Sequence, residues 1–312
     1  FGCDWVAFLY ASIAAILGMR LRQVCNESGL NHYMGIAISA FVATIIAWAS
    51  TLLPAEWTST PWHPLLACAL FIVPGVPLIN FVDDMLDNYI QVGIVRAVNT
   101  LLMVAAMAFG IAFAVKLCHI ENFFPTISMV PHHQYWEYAI AAAISAMGFS
   151  MIFNIQRRLL WVVAIGGIIA VCTRNFVNLG PSTDNIGLDM GLVIGSFSGA
   201  VLVSLIVIKA VHWFHVPNHV LTIPSVIPMI PGVLMYRMLF GIININVQSI
   251  DQVTPLMKAI ESGVNSGLVI MCIALGVAIP NIFGRRFIAS SKNKRLAELL
   301  KERKARGKFV EW

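Results

Sequence analysis

The sequence predicts an all-α polytopic membrane protein made of two inverted-topology halves, each with one Pro-Gly-broken helix. Three observations lead to this. The composition is 59% hydrophobic and only 11% charged, with a mean hydropathy of +0.81, whereas soluble domains carry about 25% charged residues. Apolar runs of about twenty residues, the length that crosses a bilayer, recur about nine times. Two of those runs are broken by proline in the same way. Leu221 to Arg237 reads LTIPSVIPMIPGVLMYR, and Phe71 to Asn80 reads FIVPGVPLIN.

The breaks carry the strongest physical message. An interior proline removes a backbone donor and clashes with the preceding turn. In lipid, the carbonyls this frees cost several kcal/mol unless protein, water or a ligand satisfies them. Segments of this kind are tolerated where they are buried in protein or line a cavity. A pair of them at corresponding places in two halves points to a transporter's binding site.

Taken in order, the spans fall at about 4–21, 33–53, 62–82 (the first broken one) and 93–117. A polar stretch, 118–133, separates these from spans at about 135–153, 159–173, 187–211, 220–243 (the second broken one) and 264–283. The division is therefore 1–117 for the first half, 118–133 for the connection, 134–284 for the second half and 285–312 for a basic tail. The tail holds ten of the twenty Lys and Arg. Basic residues favour the cytoplasmic side, and placing the tail there also brings Arg20, Arg22, Arg96, Arg157, Arg158 and Lys209 to cytoplasmic ends. Lys116, Arg174 and Lys258 fall on the far side, and Arg237 stays inside a span. The chain starts at Phe1 rather than Met, and one further span before it would give five spans in each half. An odd number of spans inverts the second half relative to the first.

Composition also excludes. A basic tail beside a membrane implies an anionic leaflet rather than nucleic acid. Six scattered cysteines without a CxxC imply neither a disulfide framework nor a thiolate metal site. His212, His215 and His219 are interrupted by Pro217 and lack a nearby carboxylate, so no metal is expected. Gly195 to Gly199 reads GSFSG, with Phe197 where a hydrolase elbow needs its nucleophile. No HExxH or P-loop motif occurs. The expectation is a protein that is not an enzyme and needs no cofactor.

With these residues in view, the chain resembles the threonine/serine exporter family. In the first half the likeness rests on VPGVPLIN (Val73 to Asn80), Asp84, Asp87, Gly93 and Arg96. In the second it rests on GFSMIFNIQRR (Gly148 to Arg158), the run from Val216 to Thr222, and IPSVIPMIPGVLMYR. It departs at Leu86-Asp87, where the family commonly has Gly-Asp. The resemblance implies export of threonine and serine from the cytoplasm through the cell membrane, driven by protons. Composition and periodicity do not show this.

The candidate site residues follow from the breaks. Asn80 offers a donor and an acceptor within an apolar run, either to a substrate or to a freed carbonyl. Gly75 and Gly232 begin the half-helices after the breaks, whose free N–H groups suit a carboxylate. Arg237 is a charge within a span, a carboxylate clamp or a snorkelling side chain. Asp83 and Asp84, just after the first break, are the candidates for proton coupling, since desolvation raises a carboxylate's pKa. The alternative for both is a solvated interfacial pair. Arg96 could latch onto Asp84 or Asp87, and Asn154 is either a gate or a helix terminator. Gly187, Gly191, Gly195 and Gly199 form a ladder expected on one helix, for packing within the chain or for a homo-oligomer contact. Leu296, Leu299 and Leu300 among the tail's basic residues suggest a surface amphipathic helix or a solvated tail. The expected mechanism is alternating access, with bilayer lipid, a small amino acid and protons as partners. The rival is an uncoupled channel formed by an oligomer.

Overall fold

The computed structural model describes residues 3–54, 56–67, 74–120, 134–181, 186–214, 216–243 and 253–305. The expected connection from residue 121 to 133, the Phe71–Val73 approach to the first break and the tail from residue 306 lie outside them. The described residues are helical, without strands. Their helices are α1 (Trp5–Glu27), α2 (His32–Trp48), α3 (His63–Ala67), α4 (Gly75–Leu86), α5 (Ile90–Leu117), α6 (Tyr135–Ile152), α7 (Leu160–Asn178), α8 (Leu192–Phe214), α9 (Asn218–Val226), α10 (Gly232–Ile243) and α11 (Val253–Ala305). Six helical stretches among them are long and apolar enough to cross a membrane: Trp5–Glu27, His32–Leu52, Ile90–Leu117, Arg157–Asn178, Leu192–Ala210 and Leu256–Gly284. The other three expected spans correspond to α6 and to the two broken segments, α3–α4 and α9–α10.

Local chemistry sets the ends of the helices. Asp4 caps α1, its side chain accepting from the Ala7 N–H at 2.7 Å. The first span was expected to stop at Arg20 and Arg22, but α1 runs on to Glu27. It ends where Gly29 takes a positive φ of 71° and the Gly29 and Leu30 amides bond back to Asn26 and Cys25, the left-handed closure that glycine permits. Asn88 and Asn154 close α4 and α6 in the same manner, at φ 69° and 53°. Asn154 is thus a helix terminator.

Two further expectations change. The glycine ladder is split, because α8 begins only at Leu192 and leaves Gly187 and Gly191 ahead of it. Gly191 has φ +87°, the conformation of a turn. A side chain at Gly195 would meet the Arg174 carbonyl of α7 at 2.6 Å, and one at Gly199 the Ala170 carbonyl at 2.5 Å. The space beside these two glycines is therefore already filled by α7 of the same chain, not left for a second copy. The ninth span and the tail also form one helix, since α11 continues through Pro280 to Ala305.

The packing interlocks the two parts of the chain. α1, α2, α3 and α5 share a core of small residues and Ile36, Met107 and Ile111. α4 leaves that group. Its Ile79 and Val82 lie in a core built by α6, α7, α8, α9 and α11. In return, Val233 of α10 packs on the first core, and Met235 meets Leu78, Val104 and Ile270. Since lipid is as apolar as the core, close fit rather than water exclusion holds such helices together. The buried alanines, among them Ala7, Ala14, Ala40, Ala43 and Ala47, permit that fit. Some buried hydroxyls are satisfied within their own helices, as where Thr44 donates to Ala40 and Ser150 to Ala146, each at 2.7 Å, while those of Ser39, Ser196, Thr222 and Ser266 have no hydrogen-bond partner among the described residues.

Candidate functional site

The two breaks meet. A Cβ on Gly75, at the start of α4, would lie 2.7 Å from Ile230 Cδ1 and 3.7 Å from Ile227 Cγ1. Ile227–Met229 is a single 3-10 turn between α9 and α10, forced by Pro228 and Pro231. Because Gly75 has no side chain, the backbone of one break approaches the apolar residues of the other.

A cavity of about 730 Å³ lies beside this junction. Its apolar lining includes Val76 of α4 and Ile223 and Pro224 of α9. Toward the end of α4 the lining turns polar, with Asn80, Asp83, Asp84 and Asp87. Counted from Val76, these are the residues four, seven, eight and eleven positions on, a single face of a 3.6-residue helix. The opposite wall is His219 and Val220 of α9 with Val216 and Pro217 before it. Phe153, Asn154, Ile155, Gln156 and Leu159, between α6 and α7, and Tyr89 and Arg96 complete the lining.

Two charge contacts organise the polar end. Arg96 Nη1 donates to Asp84 Oδ2 at 2.5 Å, joining α5 to α4. Asp83 Oδ2 lies 3.7 Å from His219 Nε2, joining α4 to α9. Among the described residues, the lining thus brings Asp83, Asp84 and Asp87 together with Arg96 and His219.

The sequence candidates separate into two groups. Asn80, Asp83, Asp84, Arg96 and Asn154 come together at the cavity. Gly75, Gly232 and Arg237 are not among its lining residues. Gly75 is buried against Ile230, and the Gly232 N–H donates to the Ile230 carbonyl at 2.8 Å rather than pointing free. Arg237 lies half-buried on α10. His219 and Gln156 are lining residues that sequence reasoning did not select. The regular spacing of polar residues along α4 was a usable signal, but the histidine triplet was read only for metal. Among the described residues no cluster has the donors for a metal ion. Arg174 is a second residue the sequence undervalued. Its guanidinium donates to Asn175 Oδ1 at 3.2 and 3.1 Å and approaches the Met229 carbonyl at 3.5 Å, at the second break.

Comparison with known proteins agrees with this architecture. Residues 1–118 match the family described as putative threonine/serine exporter, and residues 138–283 match the one described as threonine/serine exporter, ThrE. The chain belongs to the threonine/serine exporter family. That is a family of membrane transporters, not of enzymes. Two curated relatives are both named probable succinate transporter subunit YjjP. The one from Klebsiella aerogenes is 32% identical over 113 residues, covering 36% of this chain and 43% of that protein. The one from Escherichia coli K12 is 30% identical, covering 36% and 44%. The chain thus spans less than half the length of these relatives. No solved structure matches it.

Proposed function

We propose that this exporter-family protein moves threonine, serine or similar small polar amino acids out across the cell membrane by alternating access, coupled to protons, with its C-terminus in the cytoplasm. One observation carries the reading: the cavity lies where the two broken segments meet, walled by α4 on one side and α9 on the other. α4 falls in the stretch matched by the first family and α9 in that matched by the second. A relative movement of the two parts would therefore open or close the cavity.

The acidic lining favours a substrate with an ammonium group. Asn80 is placed to receive the hydroxyl or the ammonium, and Arg96 is the cavity's cation for a carboxylate. The relatives' name supplies the competing probe, succinate. The test is uptake of labelled threonine, serine and succinate into proteoliposomes holding the chain, with and without an imposed pH gradient. Threonine or serine accumulation that collapses with a protonophore is the expected result. Flux that only equilibrates would replace the exporter with a channel, and preferred uptake of succinate would overturn the substrate reading.

A further inference from the structure

The two charge contacts at the mouth of the cavity differ in what they join. Asp84–Arg96 links α4 to α5, both within the first matched stretch. Asp83–His219 links α4 to α9, across the cavity and across the two matched stretches. Any opening of the cavity between them must change the second contact and need not change the first.

We infer that His219 is the residue that carries the coupling proton, with Asp83 as its partner across the cavity; the inference rests on the transport reading above. The geometry suits the role. The 3.7 Å separation of Nε2 and Oδ2 is ion-pair distance, and the attraction exists only when the imidazole is protonated. Both side chains keep access to the cavity, His219 at 37% and Asp83 at 15% exposure, so protons can enter and leave. Imidazole is the side chain whose ordinary titration lies between pH 5 and 8. A proton arriving on His219 draws α9 toward α4, and its departure releases them. Arg96 cannot take this part, because a guanidinium stays charged throughout.

Among the described residues, the titratable and charged groups that line the cavity with His219 are three carboxylates, Tyr89 and Arg96. α4 presents Asp83, Asp84 and Asp87, and α5 presents Arg96. The connection from α6 to α7 presents Asn154 and Gln156, which do not titrate, and α7 is preceded there by Leu159. On the far side of α9, Asn218 Nδ2 donates to Asn281 Oδ1 of α11 at 2.9 Å, and Ser204 of α8 lies in the same polar contact. The side chains of His212 and His215, at the end of α8 and just after it, and of Arg285 and Arg286 on α11 lie outside the described residues.

The experiment pairs two readouts. Proteoliposomes holding the native chain or His219→Gln are assayed for threonine exchange at equal pH and for threonine accumulation under a pH gradient. We expect accumulation under the gradient to fall by about tenfold or more in His219→Gln, and to fall further than exchange does. Accumulation retained in His219→Gln overturns the inference. The second readout needs no transport. Spin labels at Leu86 on α4 and Trp213 on α8, both exposed, report the α4–α8 separation at about pH 5.5 and about pH 8. The native distribution should shift between the two pH values, and His219→Gln should give a single distribution at both. No shift in the native chain, or a shift that survives the substitution, overturns the inference. If the native chain exchanges no threonine, the substrate reading has failed and the spin labels alone decide the role of His219. If His219→Gln loses exchange as well, the same distances decide.

Discussion

Asp4 and the Asp83–Asp84 pair are carboxylates at opposite ends of the bundle, and their surroundings differ. Asp4 is enclosed by its own part of the chain. Its oxygens accept from the Ala7 amide, the Thr58 hydroxyl, and the amides of Ser59 and Thr60, while its own N–H donates to Thr60 Oγ1. All of these partners lie at the start of α1 or in the segment before α3, and none needs to move. Asp83 and Asp84 instead end a helix that borders a cavity, and each meets a side chain of another helix, His219 for Asp83 and Arg96 for Asp84. Backbone donors fix a carboxylate in place. Side-chain partners on another helix leave it able to change state. The first arrangement builds a structure, and the second can be used by one.

The sharpest way to break this comparison is to separate the two neighbouring aspartates. Asp83→Asn should abolish gradient-driven threonine accumulation, a loss of about tenfold or more, while Asp84→Asn should keep a substantial part of it. Equal losses in both variants would show that the Arg96 contact also takes part in coupling. Double-mutant cycles add the pH axis. The coupling between Asp83→Asn and His219→Gln should be present at low pH and fade as the pH rises and the imidazole loses its charge. That between Asp84→Asn and Arg96→Gln should stay level from about pH 5.5 to about pH 8. A level response for the first pair would remove the histidine from the comparison.

A smaller effect is expected on stability. Arg96 is 48% exposed and Asp84 21%, and exposed pairs contribute roughly 0–1 kcal/mol. Reversing the pair as Asp84→Arg with Arg96→Asp should therefore leave the thermal midpoint nearly unchanged. It should not recover the transport lost with Arg96→Asp, since Arg96 is the proposed contact for the substrate carboxylate. Recovery by the reversed pair would mean that the contact is structural and that Arg96 does not receive substrate.

Much of the architecture was legible in the sequence because membrane helices announce themselves by length and apolarity. α2, α5 and α6 begin and end within a few residues of the expected limits. The prolines at 74, 228 and 231 marked both breaks for a local reason, the missing N–H, whereas α9 runs on through Pro224. The site was legible in part. Asn80 and Asp84 stand out as polar residues beside an apolar break, and they do line the cavity. What one chain position cannot announce is its partner on another helix. His219 acquires meaning only when α9 packs across from α4, and Gly75 only when Ile230 arrives against it. The glycine spacing misled for a related reason. A four-residue repeat marks a helix face only where the helix exists, and α8 begins after Gly187 and Gly191.

Asp4 supplies the gentlest test of the difference between caged and cavity carboxylates. Burial alone would raise its pKa. The hydrogen bonds from Ala7, Thr58, Ser59 and Thr60 outweigh that and hold it at about 2, below the ordinary 3.8. A depressed folded-state pKa contributes stability that is present above the unfolded value and is lost as pH falls through the folded one. The contribution of Asp4 should therefore be complete above about pH 4 and fade toward about pH 2. Asp4→Ala removes the cap of α1 and should cost about 1 kcal/mol, read as a lower thermal midpoint in detergent near neutral pH. Asp4→Asn keeps a capping oxygen but no charge, so the gap between it and the native chain should narrow as pH falls from about 5 to about 2. Threonine exchange should survive both changes, since the cage lies at the end of the bundle away from the cavity. A loss of exchange in folded Asp4→Asn would mean that the two ends are coupled, and Asp4 would then belong with the carboxylates that change state.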